Sequence, residues 1–215
     1  MGGITFLILS VLSSSGVALT MKIANDFKVD IWQFIAINYL VCTLSVLAWG
    51  AWRTIAYNTF FLWGLSAFIG LMYVISLWIF HFNISVQGIT LSTKLMRLSS
   101  AIPTLGSLIF FSDKVNSFRA LGIILAFLCL PLASKAPLRL GNINQDTRQG
   151  IIGGLLLFGV YGITDFTFKI QAELAPFSNP KAFMAGIFGT ALLLTFPRLL
   201  TGKQLTRLPL IWGGL

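Results

Sequence analysis

Long apolar runs separated by short polar turns cover almost the whole chain. Seven of these runs approach or exceed the length of about 20 residues that a helix needs to cross a bilayer. They lie at residues 3–24, 31–52, 60–80, 84–111, 118–134, 150–170 and 182–200. The pattern predicts an all-α polytopic membrane protein. An eighth apolar run, residues 208–215, is too short to span, so we expect the chain to be truncated at its C-terminus.

The fourth run, residues 84–111, is unusual because it carries two basic residues. Lys94 and Arg97 lie three positions apart, about one helical turn, so both project from one face of a helix. A charge at bilayer depth costs about 2.5 to 3.5 kcal/mol on insertion scales, so the two bases require a function or a partner. Pro103 follows, where a membrane helix can kink. We interpret this run as one span that lines an aqueous pathway.

Charged side chains within the apolar runs are the first candidates for solute binding. The guanidinium of Arg97 is suited to hold a carboxylate or phosphate, although it is equally suited to a structural ion pair. Lys94 lies nearer the interface, where its long stem can instead reach water. Asp165 is the acidic residue placed well inside an apolar run, and it is the expected partner of both bases, as proton relay or counter-ion. The alternative is that Asp165 pairs with Lys169, one turn further along the helix.

Uncharged polar residues within the runs form a second group of candidates. They are Asn38, Tyr39, Tyr73, Thr93 and Tyr161. We include Asn38, Thr93 and Tyr161 in the predicted solute site, while noting that such residues also join membrane helices to one another. Cys42, Cys129 and His81 form no recognisable metal or disulfide motif, and no cofactor is expected.

Composition and charge agree with a protein embedded in a membrane. Hydrophobic residues make up 56% of the chain and charged residues 10%, against about 25% charged in soluble domains. The net charge of +9 comes from single bases scattered between apolar runs, which is typical of loop charges that orient a membrane protein. A nucleic-acid partner would require a basic cluster or stripe. We expect an integral protein of the bacterial plasma (inner) membrane, whose partners are the lipid bilayer and a small-molecule solute.

The longest polar stretch, residues 135–149, divides the chain into a first unit at residues 1–134 and a second, incomplete unit at residues 150–215. Two short segments recur across this boundary. TMKI at 20–23 matches TFKI at 167–170, an offset of 167 − 20 = 147, and FIA at 34–36 matches FMA at 183–185, an offset of 183 − 34 = 149. A repeat of five spans, an odd number, enters the membrane in the opposite direction in its second copy. Inverted repeats of this kind are a common plan of secondary transporters.

The chain resembles the EamA-like members of the drug/metabolite transporter superfamily. The resemblance is carried by the small-residue first span that ends in Lys22, by Pro103 in the fourth span, and by the turn SDKVNS with Asp113, followed by a span that contains Gly122. Each motif is degenerate, and the layout over nearly the whole chain carries the likeness. The resemblance implies a ten-helix transporter of small metabolites, often directed outward.

These observations predict a secondary transporter that moves an amino acid-like or other anionic or zwitterionic solute by alternating access. Arg97, Lys94 and Asp165 would lie on the wall of its site. The chain has no GxxxxGK[ST] phosphate loop, so coupling to a proton or ion gradient, or exchange, would supply the energy. The alternative is a membrane-embedded enzyme or accessory subunit that handles lipid-linked substrates. We do not expect an enzyme, because the sequence has no His/Asp pair at useful spacing and no set of metal ligands.

Overall fold

A computed structural model describes residues 3–27, 29–54, 59–111, 121–122, 124–125, 145–176 and 178–201. Within these residues the ordered elements are helices, and no strand is present. The helices are α1 (Gly3–Asp26), α2 (Ile31–Ala48), α3 (Phe60–Gln87), α4 (Ile89–Leu98), α5 (Ala101–Phe110), α6 (Gln145–Leu174) and α7 (Pro180–Thr201), with a 3-10 turn at Ala51–Arg53.

Four helices in the described part of the chain are long and apolar enough to cross a membrane. They are α2, α3, the segment Gln149–Leu174 of α6 and the segment Pro180–Leu200 of α7. The prediction of an all-helical protein with membrane-spanning helices is therefore confirmed. The first predicted span is a helix of 24 residues, α1, and its passage through the membrane stays a prediction.

Several predicted elements fall partly or wholly outside the described residues. These are the turn SDKVNS, most of the fifth span, residues 135–144 of the polar stretch and the apolar run at the end of the chain. One boundary needs correction. Helix α6 begins at Gln145, so the last five residues of the predicted loop 135–149 are helical.

The predicted third and fourth spans are divided differently in the structure. Helix α3 runs from Phe60 to Gln87, so it continues past the predicted end of the third span at residue 80, through HFNIS at residues 81–85. The predicted start of the fourth span at residue 84 is therefore wrong, and the rest of that run forms two consecutive ten-residue helices, α4 and α5. The passage of these two helices through the membrane as one interrupted span stays a prediction.

Two local features interrupt this part of the chain. Gly88 separates α3 from α4 with a backbone φ of 81°, a conformation that glycine adopts without a steric penalty. Helix α5 begins at Ala101, so Pro103 lies in its first turn. Backbone N–H groups in the first turn have no intrahelical partner, so the N–H that proline lacks is not missed there. Just before it, the N–H of Ile102 donates to the carbonyl of Ser99 at 2.9 Å.

Helices α2 and α7 begin in the same way. The Asp30 carboxylate accepts a hydrogen bond from the N–H of Trp32 at 2.9 Å. The Asn179 side-chain oxygen accepts one from the N–H of Lys181 at 3.0 Å. Asp and Asn are favoured at this position because they satisfy backbone donors that the first turn leaves unpaired. Each helix therefore begins at the residue directly after its polar cap.

Helix α3 lies against both α6 and α7, and glycines permit the close approach. At Gly70 of α3, a Cβ atom would lie 2.6 Å from the carbonyl oxygen of Ile187 and 2.9 Å from Cβ of Thr190, both on α7. At Gly162 of α6, a Cβ would meet the side chain of Ile102 on α5. Small residues let membrane helices pack backbone to backbone. These contacts bring α3 close to α7 and α6 close to α5.

Most small residues in the middle of α1 are exposed rather than packed against another described helix. Ser13, Ser15 and Gly16 are exposed, and a Cβ at Gly16 would meet no described atom within 4 Å. The buried positions of α1 are instead Ala18, Met21 and others one turn further on. In the described part of the chain, the helix contacts of α1 therefore lie toward its C-terminal half.

Gly70→Ala should destabilise the protein, because the added methyl group collides with backbone of α7 rather than with a movable side chain. We expect a cost of about 1 to 3 kcal/mol, measured as a lower thermal unfolding midpoint in detergent. Gly64→Ala is the matched control: it lies on the same helix with nothing within 4 Å of its Cβ. Equal unfolding midpoints for the two variants would contradict the close α3–α7 packing.

Candidate functional site

Aromatic rings from four helices meet near the middle of the bundle. Tyr39 on α2 is buried, with 3% of its surface exposed, while Tyr73 on α3 and Tyr161 on α6 are half-buried. The ring centroid of Phe188 on α7 lies 6.5 Å from that of Tyr39 and 6.2 Å from that of Tyr73. The three tyrosine side chains also interact electrostatically with one another. With Asp165, these four residues form what we call the central cluster.

Asp165 brings a carboxylate to this cluster. It lies four residues after Tyr161 on α6, so both side chains project from the same face of the helix. The side chain is half-buried and interacts electrostatically with Tyr73 and Tyr161. Asp165 forms no ion pair with any described residue. The alternative partner from the sequence, Lys169, forms an ion pair of 2.7 Å with Glu173.

The two bases of α4 do not pair with this carboxylate. Arg97 is exposed, and its Nη2 donates a hydrogen bond of 2.9 Å to the hydroxyl of Ser14 on α1. Lys94, one turn earlier, is half-buried. The sequence grouped Arg97, Lys94 and Asp165 on one wall, whereas the structure joins Arg97 to α1 and Asp165 to the tyrosines.

The remaining predicted site residues fall into two groups. The hydroxyl of Thr93 donates to the carbonyl of Ile89 in its own helix at 2.8 Å, so its proton is already used. Asn38 lies closer to the cluster, because its side-chain oxygen accepts from the thiol of Cys42 at 4.0 Å, and Cys42 interacts with Tyr39 and Tyr73. Of the predicted residues, Tyr161 and Asp165 lie in the cluster and Asn38 at its edge.

The Tyr161 side chain is held from two directions on α3. It interacts with the side chain of Ser76, and its ring meets Phe80 edge-on with centroids 6.5 Å apart. The described residues contain no group of three or more His, Cys, Asp and Glu side chains that could hold a metal ion. The chemistry available at the cluster is that of hydroxyl groups, aromatic rings and one carboxylate.

The buried amide of Asn83 and the half-buried amide of Gln87, which the sequence prediction did not include, join α3 to α6. Nδ2 of Asn83 donates at 2.9 Å both to the carbonyl of Ile79 in its own helix and to the carbonyl of Gly153 on α6. Nε2 of Gln87 donates to Oδ1 of Asn83 at 2.8 Å and also contacts the carbonyl of Gly150. The sequence signal for this contact was the pair of amides four residues apart on an otherwise apolar helix. On α6 they reach the backbone carbonyls of two glycines, Gly150 and Gly153, whose lack of a side chain leaves these carbonyls accessible.

The opposite side of α6 is apolar. Its residues form an open groove of about 340 Å³. The lining residues are Ile152, Leu155, Leu156, Gly159, Val160 and Ile163. By helical periodicity these positions lie about half a turn away from Tyr161 and Asp165. Helix α6 therefore presents its polar face to α3 and an apolar face outward.

Comparison with known proteins adds little about activity. No protein-family model matches the chain, and no solved structure matches it. A protein of Haemophilus influenzae, described only as uncharacterized, is 29% identical over 189 residues, which is 85% of this chain and 62% of that protein. The chain thus spans about three fifths of the length of this relative. The resemblance to EamA-like transporters stays a prediction.

Asn83→Leu should destabilise the α3–α6 contact, because it removes the amide donor to Gly153 and one of the two acceptors of the Gln87 amide. We expect a loss of about 1 to 2 kcal/mol in the free energy of unfolding, followed as thermal unfolding in detergent. Ser85→Ala provides the control, since Ser85 is exposed and bonds only within its own helix. An Asn83→Leu variant as stable as this control would refute the bridging role.

Proposed function

We propose that the protein is a secondary transporter that moves a small solute across the bacterial plasma membrane by alternating access. A proton or ion gradient, or exchange, would supply the energy. The observation that supports this function best is a pair of reciprocal contacts between α2 and α7, one at each end of the helix pair.

The first contact joins the start of α2 to the end of α7. The guanidinium of Arg198 lies 5.5 Å from the ring centroid of Trp32. The second joins the end of α2 to the start of α7, where the ammonium of Lys181 lies 5.1 Å from the ring of Trp49 and donates to its carbonyl oxygen at 3.2 Å. The two helices therefore run antiparallel. We call these contacts the two latches.

The latches are related by the same offset as the sequence repeat. Lys181 corresponds to Trp32, since 181 − 32 = 149, and Arg198 corresponds to Trp49, since 198 − 49 = 149. The two helix caps, at Asp30 and Asn179, also differ by 179 − 30 = 149. When two elements are related by a two-fold axis, each contact between positions i and j occurs twice, once from each side. The latches have this reciprocity.

The position of the two-fold axis follows from the same numbering. Tyr39 and Phe188 are equivalent, since 188 − 39 = 149, and their rings lie 6.5 Å apart. An axis that exchanges equivalent residues in contact must pass between them. For antiparallel helices that cross a bilayer, this axis lies in the membrane plane, as in the inverted repeats of transporters. These relations support a five-helix inverted repeat, ten helices in all.

The central cluster thus lies on the proposed axis, at mid-depth, where transporters of this plan bind solutes. The latches lie on either side of it. A cation–π contact contributes about 0.5 to 2 kcal/mol, which is small enough to open and reform during a transport cycle. We propose that one latch opens while the other holds, so that the cluster communicates with one side of the membrane at a time.

Cys42 offers a test that does not require the solute to be known. In a Cys129→Ser background, Cys42 should react with a membrane-impermeant maleimide from both sides of oriented vesicles. Lys181→Ala should increase the reaction from the side of Trp49, and Arg198→Ala from the side of Trp32. We expect changes of about twofold to fivefold, since an exposed cation–π contact is worth about 0.5 to 1 kcal/mol.

Arg53→Ala is the control for the latch variants. The Arg53 guanidinium lies 4.9 Å from the ring of its neighbour Trp52, so it has the same chemistry without joining α2 to α7. It should leave labelling unchanged. Modification of Cys42 from only one side in every variant would reject alternating access around the cluster. Uptake of a metabolite panel into the same vesicles then identifies the solute.

A further inference from the structure

The central cluster combines one acidic side chain with several aromatic rings. Asp165 lies four residues after Tyr161 on the same face of α6, and it interacts electrostatically with Tyr161 and with Tyr73 on α3. Phe168, three residues further along α6, shares this face, and its ring centroid lies 6.3 Å from that of Tyr73. Phe188 approaches Tyr73 from α7 at 6.2 Å. Asp165 therefore shares one face of α6 with Tyr161 and Phe168, and the rings of this face meet rings on α3 and α7.

We propose that the solute bound at the central cluster is an organic cation, a quaternary or protonated amine, with Asp165 as its counter-ion and the rings as its walls. This inference rests on the proposed transport function and specifies the chemical class of its solute. It differs from the anionic or zwitterionic solute that Arg97 and Lys94 suggested in the sequence.

The carboxylate of Asp165 needs a partner of opposite charge. An ionised side chain at bilayer depth costs several kcal/mol, and a paired opposite charge offsets this cost. Asp165 forms no ion pair with a described residue, while Lys169 on the same helix pairs with Glu173 at 2.7 Å. Arg97 is directed to Ser14 on α1. A bound cation supplies the charge that the described side chains do not place on Asp165.

The aromatic rings add selectivity for the same charge. The face of an aromatic ring is electrically negative and attracts a cation within about 6 Å of its centroid, and quaternary ammonium groups are the usual ligands of such ring-lined sites. An anion would instead meet the like charge of Asp165 and the negative ring faces. A neutral apolar solute would gain from neither. Carboxylate and rings therefore favour one class of ligand.

The test compares three probes of similar size on the full chain in detergent, using isothermal titration calorimetry. Phenyltrimethylammonium is the cation, tert-butylbenzene is its neutral isostere, and benzenesulfonate is an anion. We expect the cation to bind more tightly than either of the others. Asp165→Asn should weaken cation binding at least about tenfold, because it removes the charge but keeps the shape.

Two control variants test whether the effect on cation binding is specific to the charge of Asp165. Asp26→Asn removes an exposed acidic charge from α1, outside the cluster, and should leave cation binding unchanged. Asp165→Glu keeps the charge and should retain more binding than Asp165→Asn. If Asp165→Asn does not fold, Tyr73→Leu, which removes one ring, should weaken cation binding relative to the wild-type chain.

Three outcomes would overturn the inference. They are cation binding that is absent in the wild-type chain, cation binding that is equal in wild type and Asp165→Asn, and benzenesulfonate binding that is tighter than cation binding and lost in Arg97→Ala. The last would favour an anion site on α4. None of these outcomes changes the labelling of Cys42, which tests alternating access. The proposed solute class can therefore be wrong while the proposed transport function is still supported. Selective cation binding with labelling of Cys42 from one side would leave a cation-binding protein that does not transport.

Discussion

The antiparallel packing of α2 against α7 is the interaction on which the rest of the bundle depends. Both helices start at an Asx cap, and each end of the pair is joined by a cation over a tryptophan ring. Helix α3 then packs onto α7 through Gly70 and onto α6 through the amide of Asn83. The central cluster forms because these contacts bring the middles of four helices together. Loss of the α2–α7 contact would separate Tyr39 from Phe188 first.

Polar groups within these helices are satisfied in two ways that separate structural roles from functional ones. Most hydroxyl groups bond backward within their own helix, as Thr164 does to Val160 and Thr195 to Ala191. The amide of Asn83 finds a carbonyl on the neighbouring helix. Asp165 is different, because it interacts electrostatically with Tyr73 and Tyr161 and no described base pairs with it. A polar group in a membrane interior that lacks its natural partner is the best place to expect a ligand.

The proposed mechanism connects the latches to the cluster. Each latch is weak, so it adds little to the free energy needed to open one end of the helix pair. In this proposal, a solute that binds on the axis would contact both halves of the inverted repeat. Its binding energy can then stabilise whichever state encloses it, which is how a ligand shifts an equilibrium between two conformations. A cation that neutralises Asp165 would also remove the cost of carrying that charge through the membrane.

The sequence by itself determined the helical class and the approximate positions of α1, α2, α6 and α7. It also suggested a repeat, since FIA at 34–36 and FMA at 183–185 lie 149 positions apart. These features depend on residues close together in the chain or on the match of one segment with another. The sequence also indicated Asp165, because an acidic residue inside an apolar run stands out locally.

Only the tertiary structure decided which helices meet. It extended α3 through HFNIS, because Asn83 finds a carbonyl on α6, and it divided the fourth run at Gly88 and before Pro103. It separated Arg97 from Asp165 and brought Tyr39, Tyr73 and Tyr161 together. Hydropathy shows that a residue lies within the membrane but not toward which neighbour it points. That direction is set by the close contacts of small residues such as Gly70, whose partners lie more than a hundred residues away in the chain.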